Sequence, residues 1–296
     1  MPVPPRGSEL HFQPLEHLEP VEYRRPPMTD LGLCGKYLDL KLDDSKEISQ
    51  VKIKLAAAEE ALALSLWSTA TICRVLSLES ILALVTSVLL EKQVAVLCPN
   101  LGVLSAVVLS IIPTIRPYEW QSLFLPILPV KMLDFLDAPV PFVVGLQHKP
   151  EDLKMKASHL VQVNVDKNQV KSRGLPQLPR NKELISELRP IHAALSCADY
   201  ISQKHPAYKC DNVQAKAAEQ FLVVMRRYMD SLCSDLRSHT ITSVQSNNDR
   251  VSILLKDSFI DSFPVTDRNF VKLFVETQLF TVLSDSHLSS FDNEHY

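Results

Sequence analysis

The sequence predicts an α/β central domain, a short wound sheet flanked by helices, followed by an all-α C-terminal domain. Three observations carry this reading. Between Ile53 and Val170, Ala- and Leu-rich stretches alternate with short apolar runs, the pattern of a wound sheet. All six glycines lie at or before Gly174, and from Leu175 onward the chain is rich in Ala, Leu, Gln, Glu, Lys and Arg. Seven of the twenty prolines fall in the first thirty residues, between short apolar pairs, and mark an extended connector without a core of its own. The expected division is a proline-rich connector over 1–52, the α/β domain over 53–175 and the helical domain over 176–296. The boundary falls in the Ser172–Asn181 segment, SRGLPQLPRN.

Ile53 to Cys73 contains neither Gly nor Pro and reads as a long helix. Leu78 to Leu90 is apolar nearly all round, so it reads as a buried helix ended by Glu91-Lys92-Gln93. Val94 to Cys98 is a short continuous apolar run suited to a strand covered on both faces. Pro99-Asn100 turns the chain, and Leu101 to Ile112 returns as a helix. Leu123–Leu128, Phe142–Leu146 and Leu160–Val165 read as further strands. The last meets a polar turn at Asp166-Lys167-Asn168 before Gln169-Val170.

In the C-terminal part, Asp211 with Gln214 three residues on resembles a capping box. Val213, Ala217, Phe221, Val224, Tyr228, Leu232 and Leu236 then form one apolar stripe opposite Lys216, Gln220, Arg227 and Asp230. Val251–Phe263 and Phe270–Leu283 read as two more helices, parted by Pro264.

Composition narrows the function. Thirty-one basic residues against 34 acidic ones give a net charge of −3, which lacks the basic excess of a dedicated nucleic-acid binder. The six cysteines show no Cys-x-x-Cys spacing, and Cys73 and Cys98 sit in apolar runs as buried small hydrophobes. MPVPPRGSEL lacks the apolar stretch of a signal peptide, so a reducing, cytoplasmic setting is expected. Gln93 to Ile115 is uncharged and long enough to span a membrane, but Pro99-Asn100 and Pro113 divide it into strand, turn and buried helix.

Bond-making constellations do not emerge. A phosphate loop, a Gly-x-Ser-x-Gly elbow and a His-Glu-x-x-His pair are all missing from the sequence. Asp166-Lys167-Asn168 begins like a calcium loop, yet Lys171 stands at the turn-glycine position and Gln177 at the closing glutamate. Catalytic residues, metal ligands and cofactors are therefore not expected.

The stretch from Leu89 to Leu146 resembles the central portion of a DENN domain. It carries a helix ending in Glu91-Lys92 before a short strand, then Pro117-Tyr118-Glu119-Trp120, the pair Leu128-Pro129 and the run from Ala138 to Gly145. Farther on, Leu254 to Asp285 resembles the downstream DENN segment, with Glu276-Thr277-Gln278-Leu279-Phe280 as its most recognisable piece. The wording is closest to plant members of the family. A complete DENN module opens with a longin-like lobe, which the sequence from Met1 does not resemble.

The resemblance implies a guanine-nucleotide exchange factor for a Rab-type small GTPase in vesicle trafficking. It also implies a partner GTPase, a longin-like lobe supplied in trans, and transient recruitment to endomembranes without a transmembrane segment. The alternative is an adaptor that keeps the DENN scaffold but has no exchange activity of its own. Loops at the carboxyl ends of wound strands favour partners, which nominates Pro99, Asn100, Leu101, Asp166 and Asn168. Arg116, ahead of Pro117, is a further candidate for an acidic partner, and Trp120 reads as a packing anchor.

Overall fold

The computed structural model describes residues 4–13, 20–27, 45–150, 160–196, 212–244 and 250–293. The chain divides into two compact units, Met1–Ser65 and Leu66–Tyr296.

In the first unit, β1 (Glu9–Phe12) and β2 (Val21–Arg24) pair antiparallel, with Leu10 opposite Tyr23. The expected connector therefore contains a hairpin. Its prolines flank the strands and leave the ladder donors intact. Gly7 adopts φ 79° where the chain enters β1, and its N–H donates to the Arg25 carbonyl at 2.9 Å. The hairpin is tied to α1 (Ser45–Val75) through Glu59. That carboxylate accepts from the Tyr23 hydroxyl at 3.0 Å and Arg25 Nε at 3.3 Å, and pairs with Arg6 Nη1 at 2.9 Å.

The second unit is built on a five-stranded sheet in the order β4-β5-β3-β6-β7. β3 (Gln93–Leu97), β4 (Leu123–Leu125), β5 (Phe142–Leu146) and β6 (Val161–Asn164) are parallel, and β7 (Gln169–Lys171) closes one edge antiparallel to β6. Every strand expected from the sequence is present. The strands read as continuous apolar runs because both faces are covered. Val94, Val96, Val143, Val161 and Val163 enter the main core with α2 (Leu78–Leu89) and α3 (Leu101–Leu109). Ala95, Leu97, Phe142, Val144 and Leu146 form a smaller core with Leu128 and Leu136, the latter from the 3₁₀ segment Val130–Asp137.

Gly145 in β5 is a steric requirement. A Cβ there would lie 2.0 Å from the Pro126 carbonyl oxygen and 3.0 Å from Leu104 Cγ. The Leu128 N–H donates to the Gly145 carbonyl at 2.7 Å, locking the chain after β4 against β5.

The helix expected over Leu101–Ile112 is broken at Ser110 into α3 and a short α4 (Ile111–Thr114). Helix α5 (Asn181–Leu195) follows the expected boundary, and α6 (Asn212–Ser231) carries the expected stripe only in part. Ala217, Phe221 and Tyr228 are buried, but Val213 is 68% exposed and Leu236 lies beyond the helix in a 3₁₀ turn. Asp211, the expected cap, lies outside the described residues.

The expected helix over Val251–Phe263 is overturned. Strands β8 (Thr240–Val244) and β9 (Arg250–Leu254) form an antiparallel ribbon, and only α7 (Lys256–Asp261) is helical there. Thr-Ile-Thr-Ser-Val and Val-Ser-Ile-Leu are β-branched and alternating, and the polar stretch between them suits a hairpin. The single helix expected over Phe270–Leu283 is two, α8 (Arg268–Phe274) and α9 (Gln278–Asn293), divided at Val275-Glu276-Thr277. The C-terminal region is therefore helical with one embedded ribbon. It shares the main core with the sheet, through Phe221, Met225, Phe259, Phe270, Phe274 and Phe280.

Tyr118 joins these parts. It is 1% exposed, its hydroxyl donates to the Met229 carbonyl at 3.3 Å and lies 2.9 Å from Cys233 Sγ, and its ring meets Phe274 edge-on at 5.2 Å. Burial, with Cys233 as the next contributor, pushes its phenol well above the ordinary range. Trp120 is half-buried against the core and donates its ring N–H to the Leu123 carbonyl at 3.2 Å. It packs, as the sequence suggested.

Candidate functional site

The carboxyl ends of β3, β5 and β6 gather the loops nominated from the sequence. Cys98 N–H donates to the Leu146 carbonyl at 3.1 Å and Val165 N–H to the Leu97 carbonyl at 3.0 Å, so the three strand ends stay in step. Gln147 Nε2 then donates to the Pro99 carbonyl at 3.2 Å, stapling the loop after β5 to the loop after β3. Pro99, Leu101, Asp166, Lys167 and Asn168 are exposed at this edge.

Both asparagines hold helix ends. Asn100 is the N-cap of α3, its side-chain oxygen accepting from Gly102 N at 2.9 Å and Val103 N at 3.1 Å. Asn168 takes the left-handed conformation, φ 46°, in the β6–β7 turn. From there its Oδ1 accepts the Ser77 N–H at 2.8 Å, and Ser77 is itself the N-cap of α2. Asn tolerates that backbone better than most residues because its short polar side chain bonds locally. The edge is thus a rim of capped helix ends and a stapled loop, on which Pro99, Leu101 and Asp166 are exposed.

Arg116 does not belong to this rim. It precedes Pro117 through a cis peptide, on the path from α4 into the amino end of β4, and is exposed beside a cleft of about 290 Å³ that includes Trp120 and Phe124. The structure therefore brings five of the six nominated residues to one edge and sets the sixth apart.

Burial keeps the described cysteines in the thiol form. Cys73, Cys98 and Cys233 are free and buried. Burial pushes the Cys98 thiol up to about 11, with the Asp166 charge adding and a hydrogen bond from the Asn100 backbone opposing. Burial likewise lifts Cys233 to about 12, and Cys73 higher still. Among the described residues, no group of three or more His, Cys, Asp or Glu is arranged to hold a metal ion. No helix among them is long and apolar enough to cross a membrane.

One positioning residue was invisible to sequence pattern. Glu91 ends α2 in the left-handed conformation, φ 48°, and its carboxylate accepts the Gln278 and Leu279 N–H groups, each at 2.9 Å. The two stretches that resemble DENN segments thus meet at the N-terminus of α9. No local signal in Leu-Leu-Glu-Lys marks a contact so far along the chain.

Fold and rim define a wound α/β scaffold fused to a helical region by one core. Residues 34–168 match the DENN (AEX-3) domain family. The chain is 31% identical over 126 residues to the elicitor of plant defense protein 1 of Verticillium dahliae, covering 42% of this chain and 11% of that protein. The protein of the same description from Gibberella zeae is 31% identical over 119 residues, 39% of this chain and 10% of its own length. A plant relative is also similar: the DENN domain and WD repeat-containing protein SCD1 of Arabidopsis thaliana, 30% identical over 105 residues, 35% of this chain and 9% of that protein. The chain spans about a tenth of the length of these curated relatives.

Proposed function

We propose that this chain is the exchange-bearing part of a guanine-nucleotide exchange factor for a Rab-type small GTPase in vesicle trafficking. The observation that carries the reading is the DENN match over residues 34–168, because the family is known for exchange on Rab proteins. Exchange makes and breaks no covalent bond. The factor binds the nucleotide-free GTPase more tightly than the loaded form, and reciprocity weakens nucleotide binding by the same factor. Accelerating release about 10⁴-fold means lowering the barrier by roughly 5.5 kcal/mol. A stiff surface that holds the switch segments in one arrangement supplies this, and the capped, stapled rim at Pro99–Leu101 and Asp166–Asn168 has that character.

In this reading the GTPase docks at the carboxyl-edge rim, with a longin-like lobe completing the contact and membrane attachment peripheral and transient. The test is a comparison of affinities for one GTPase in two states. An exchange factor binds the nucleotide-free Rab far more tightly than the GDP-loaded Rab, whereas an adaptor binds both alike or prefers the GTP form. Equal binding across a Rab panel, with and without a supplied longin-like lobe, rejects exchange.

A further inference from the structure

We infer that the cleft beside Arg116 is a docking site for a short partner segment in which a carboxylate sits next to a large apolar side chain. Ile115, Trp120 and Phe124 contribute to its apolar lining, Ile112 stands 41% exposed at its margin, and Arg116 and Glu119 are its charged members. The ring N–H of Trp120 is already given to the Leu123 carbonyl, so what the indole offers the cleft is apolar surface. At about 290 Å³ the cleft is at the small end of ligand pockets and suits one large side chain better than a drug-sized molecule.

Charge fixes the occupant. Arg116 is exposed and, among the described residues, makes no hydrogen bond and no ion pair. A guanidinium placed so takes a carboxylate through two parallel N–H donations. Glu119, also lining the cleft, is an acceptor for a peptide N–H, which gives the bound segment a direction. The other cleft of similar size, between α5 and α6, offers no such vacancy. There Arg227 pairs with Glu187, and Arg180 donates to Ser231. The inference does not depend on the exchange reading, because Arg116 lies apart from the carboxyl-edge rim.

The chain has two tryptophans, Trp67 and Trp120, so Trp67→Phe leaves Trp120 as a fluorescent reporter in the cleft. The probes are N-acetylphenylalanine and its amide, which share the benzyl group and differ only in the carboxylate. The expected result is saturable perturbation of Trp120 by the acid, about tenfold tighter than by the amide, the scale of one charge-assisted pair. Arg116→Gln is expected to bring acid and amide within about twofold without moving the melting temperature, since exposed unbonded residues contribute little stability. Arg116→Lys, which keeps charge but not the fork, falls between. Calorimetry on the unsubstituted chain checks the same acid-to-amide ratio. Equal affinity for acid and amide, discrimination that survives Arg116→Gln, or no saturable response below about 20 mM overturns the inference.

Discussion

The carboxylate of Glu91 accepts the backbone N–H of Gln278 at 2.9 Å, across 187 positions of sequence. Its other oxygen takes the Leu279 N–H at the same distance, so a residue ending α2 caps the first turn of α9. Glu91 sits at φ 48°, a conformation that costs a non-glycine residue about 1–2 kcal/mol. The cap offsets that cost. It is also a direct polar link between the Glu-Lys step before β3 and the Glu-Thr-Gln-Leu-Phe stretch.

Two substitutions separate strain from capping. Glu91→Ala keeps the strained backbone and loses the charged acceptor, and is expected to cost about 2–3 kcal/mol. Glu91→Gly loses the acceptor but relieves the backbone, and should cost about 1 kcal/mol less than the alanine change. Chemical denaturation of both variants checks the order. Alanine less damaging than glycine would mean that the left-handed backbone at Glu91 carries no strain, and a loss under about 0.5 kcal/mol in both would mean that the cap carries no weight.

Asn100→Ala and Asn168→Ala should each cost about 1 kcal/mol, the usual loss for a helix cap. The first frees two N–H groups of α3, and the second frees the Ser77 N–H ahead of α2. The sequence nominates both as partner-binding loop residues and does not mark either as holding a helix end. A charged double substitution would therefore confound docking with stability, and Leu101→Glu with Asp166→Lys is the cleaner test of the rim. Thermal melts should show the asparagine variants lowered by about 2–4 °C and the Leu101/Asp166 variant unchanged within about 1 °C.

Gly145→Ala should be among the most damaging single-methyl additions in the chain. The added carbon would stand 2.0 Å from the Pro126 carbonyl oxygen, which is backbone and must move together with the Leu128–Gly145 hydrogen bond. A loss of about 3 kcal/mol or more is expected in a denaturant titration. A loss under about 1 kcal/mol would mean that the loop after β4 shifts freely.

The N-terminal hairpin should loosen in acid. Burial by itself raises the Glu59 carboxyl, but hydrogen bonds from Tyr23 and Arg25 and the charges of Arg6 and Arg25 bring it net below the ordinary value. A depressed carboxyl stabilises the folded arrangement at pH above its unfolded value, about 4.3, and that contribution is lost as pH falls through the folded value. Tyr23 shifts the opposite way, raised by burial and then by Glu59, so its contribution is full below about 10 and fades as pH rises through the folded value. Protection factors of the β1 and β2 amides, each exchange rate taken relative to the intrinsic rate at that pH, should fall on acidification in the unsubstituted chain. In Glu59→Gln they should be low already at neutral pH and change little with pH. Equal protection of the two proteins at pH 7 would rule the latch out.

How far the sequence reached depended on whether the determining contact was local. The four parallel strands of the sheet were legible, because buried strands write themselves as short apolar runs such as Val94–Cys98 and Phe142–Leu146, whereas the short edge strand β7, Gln-Val-Lys, has no such run. The β8–β9 ribbon was not, because Val251–Phe263 also fits a helical period and the partner strand that decides the matter lies ten residues upstream. The division of α8 from α9 was hidden for a similar reason, since the Glu91 carboxylate that caps α9 arrives from another part of the chain. Five of the six nominated loop residues share one edge, as strand order alone implied. That Asn100 caps α3 while Asn168 holds the Ser77 cap of α2, and that Arg116 stands by a separate cleft, required the side-chain geometry.

Fluorescent-GDP release from a panel of Rab proteins reads nucleotide exchange itself. Removing part of an interface forfeits buried anchors, so the chain alone is expected to accelerate release only slightly. A longin-like lobe supplied as a separate chain should raise the rate on a cognate Rab by about tenfold or more, a barrier change near 1.4 kcal/mol, short of what a covalent linker would give. The Leu101→Glu, Asp166→Lys variant, folded as its melt should show, is expected to lose that gain. Release rates unchanged from the intrinsic rate for every Rab, with the lobe present and absent, would contradict the account.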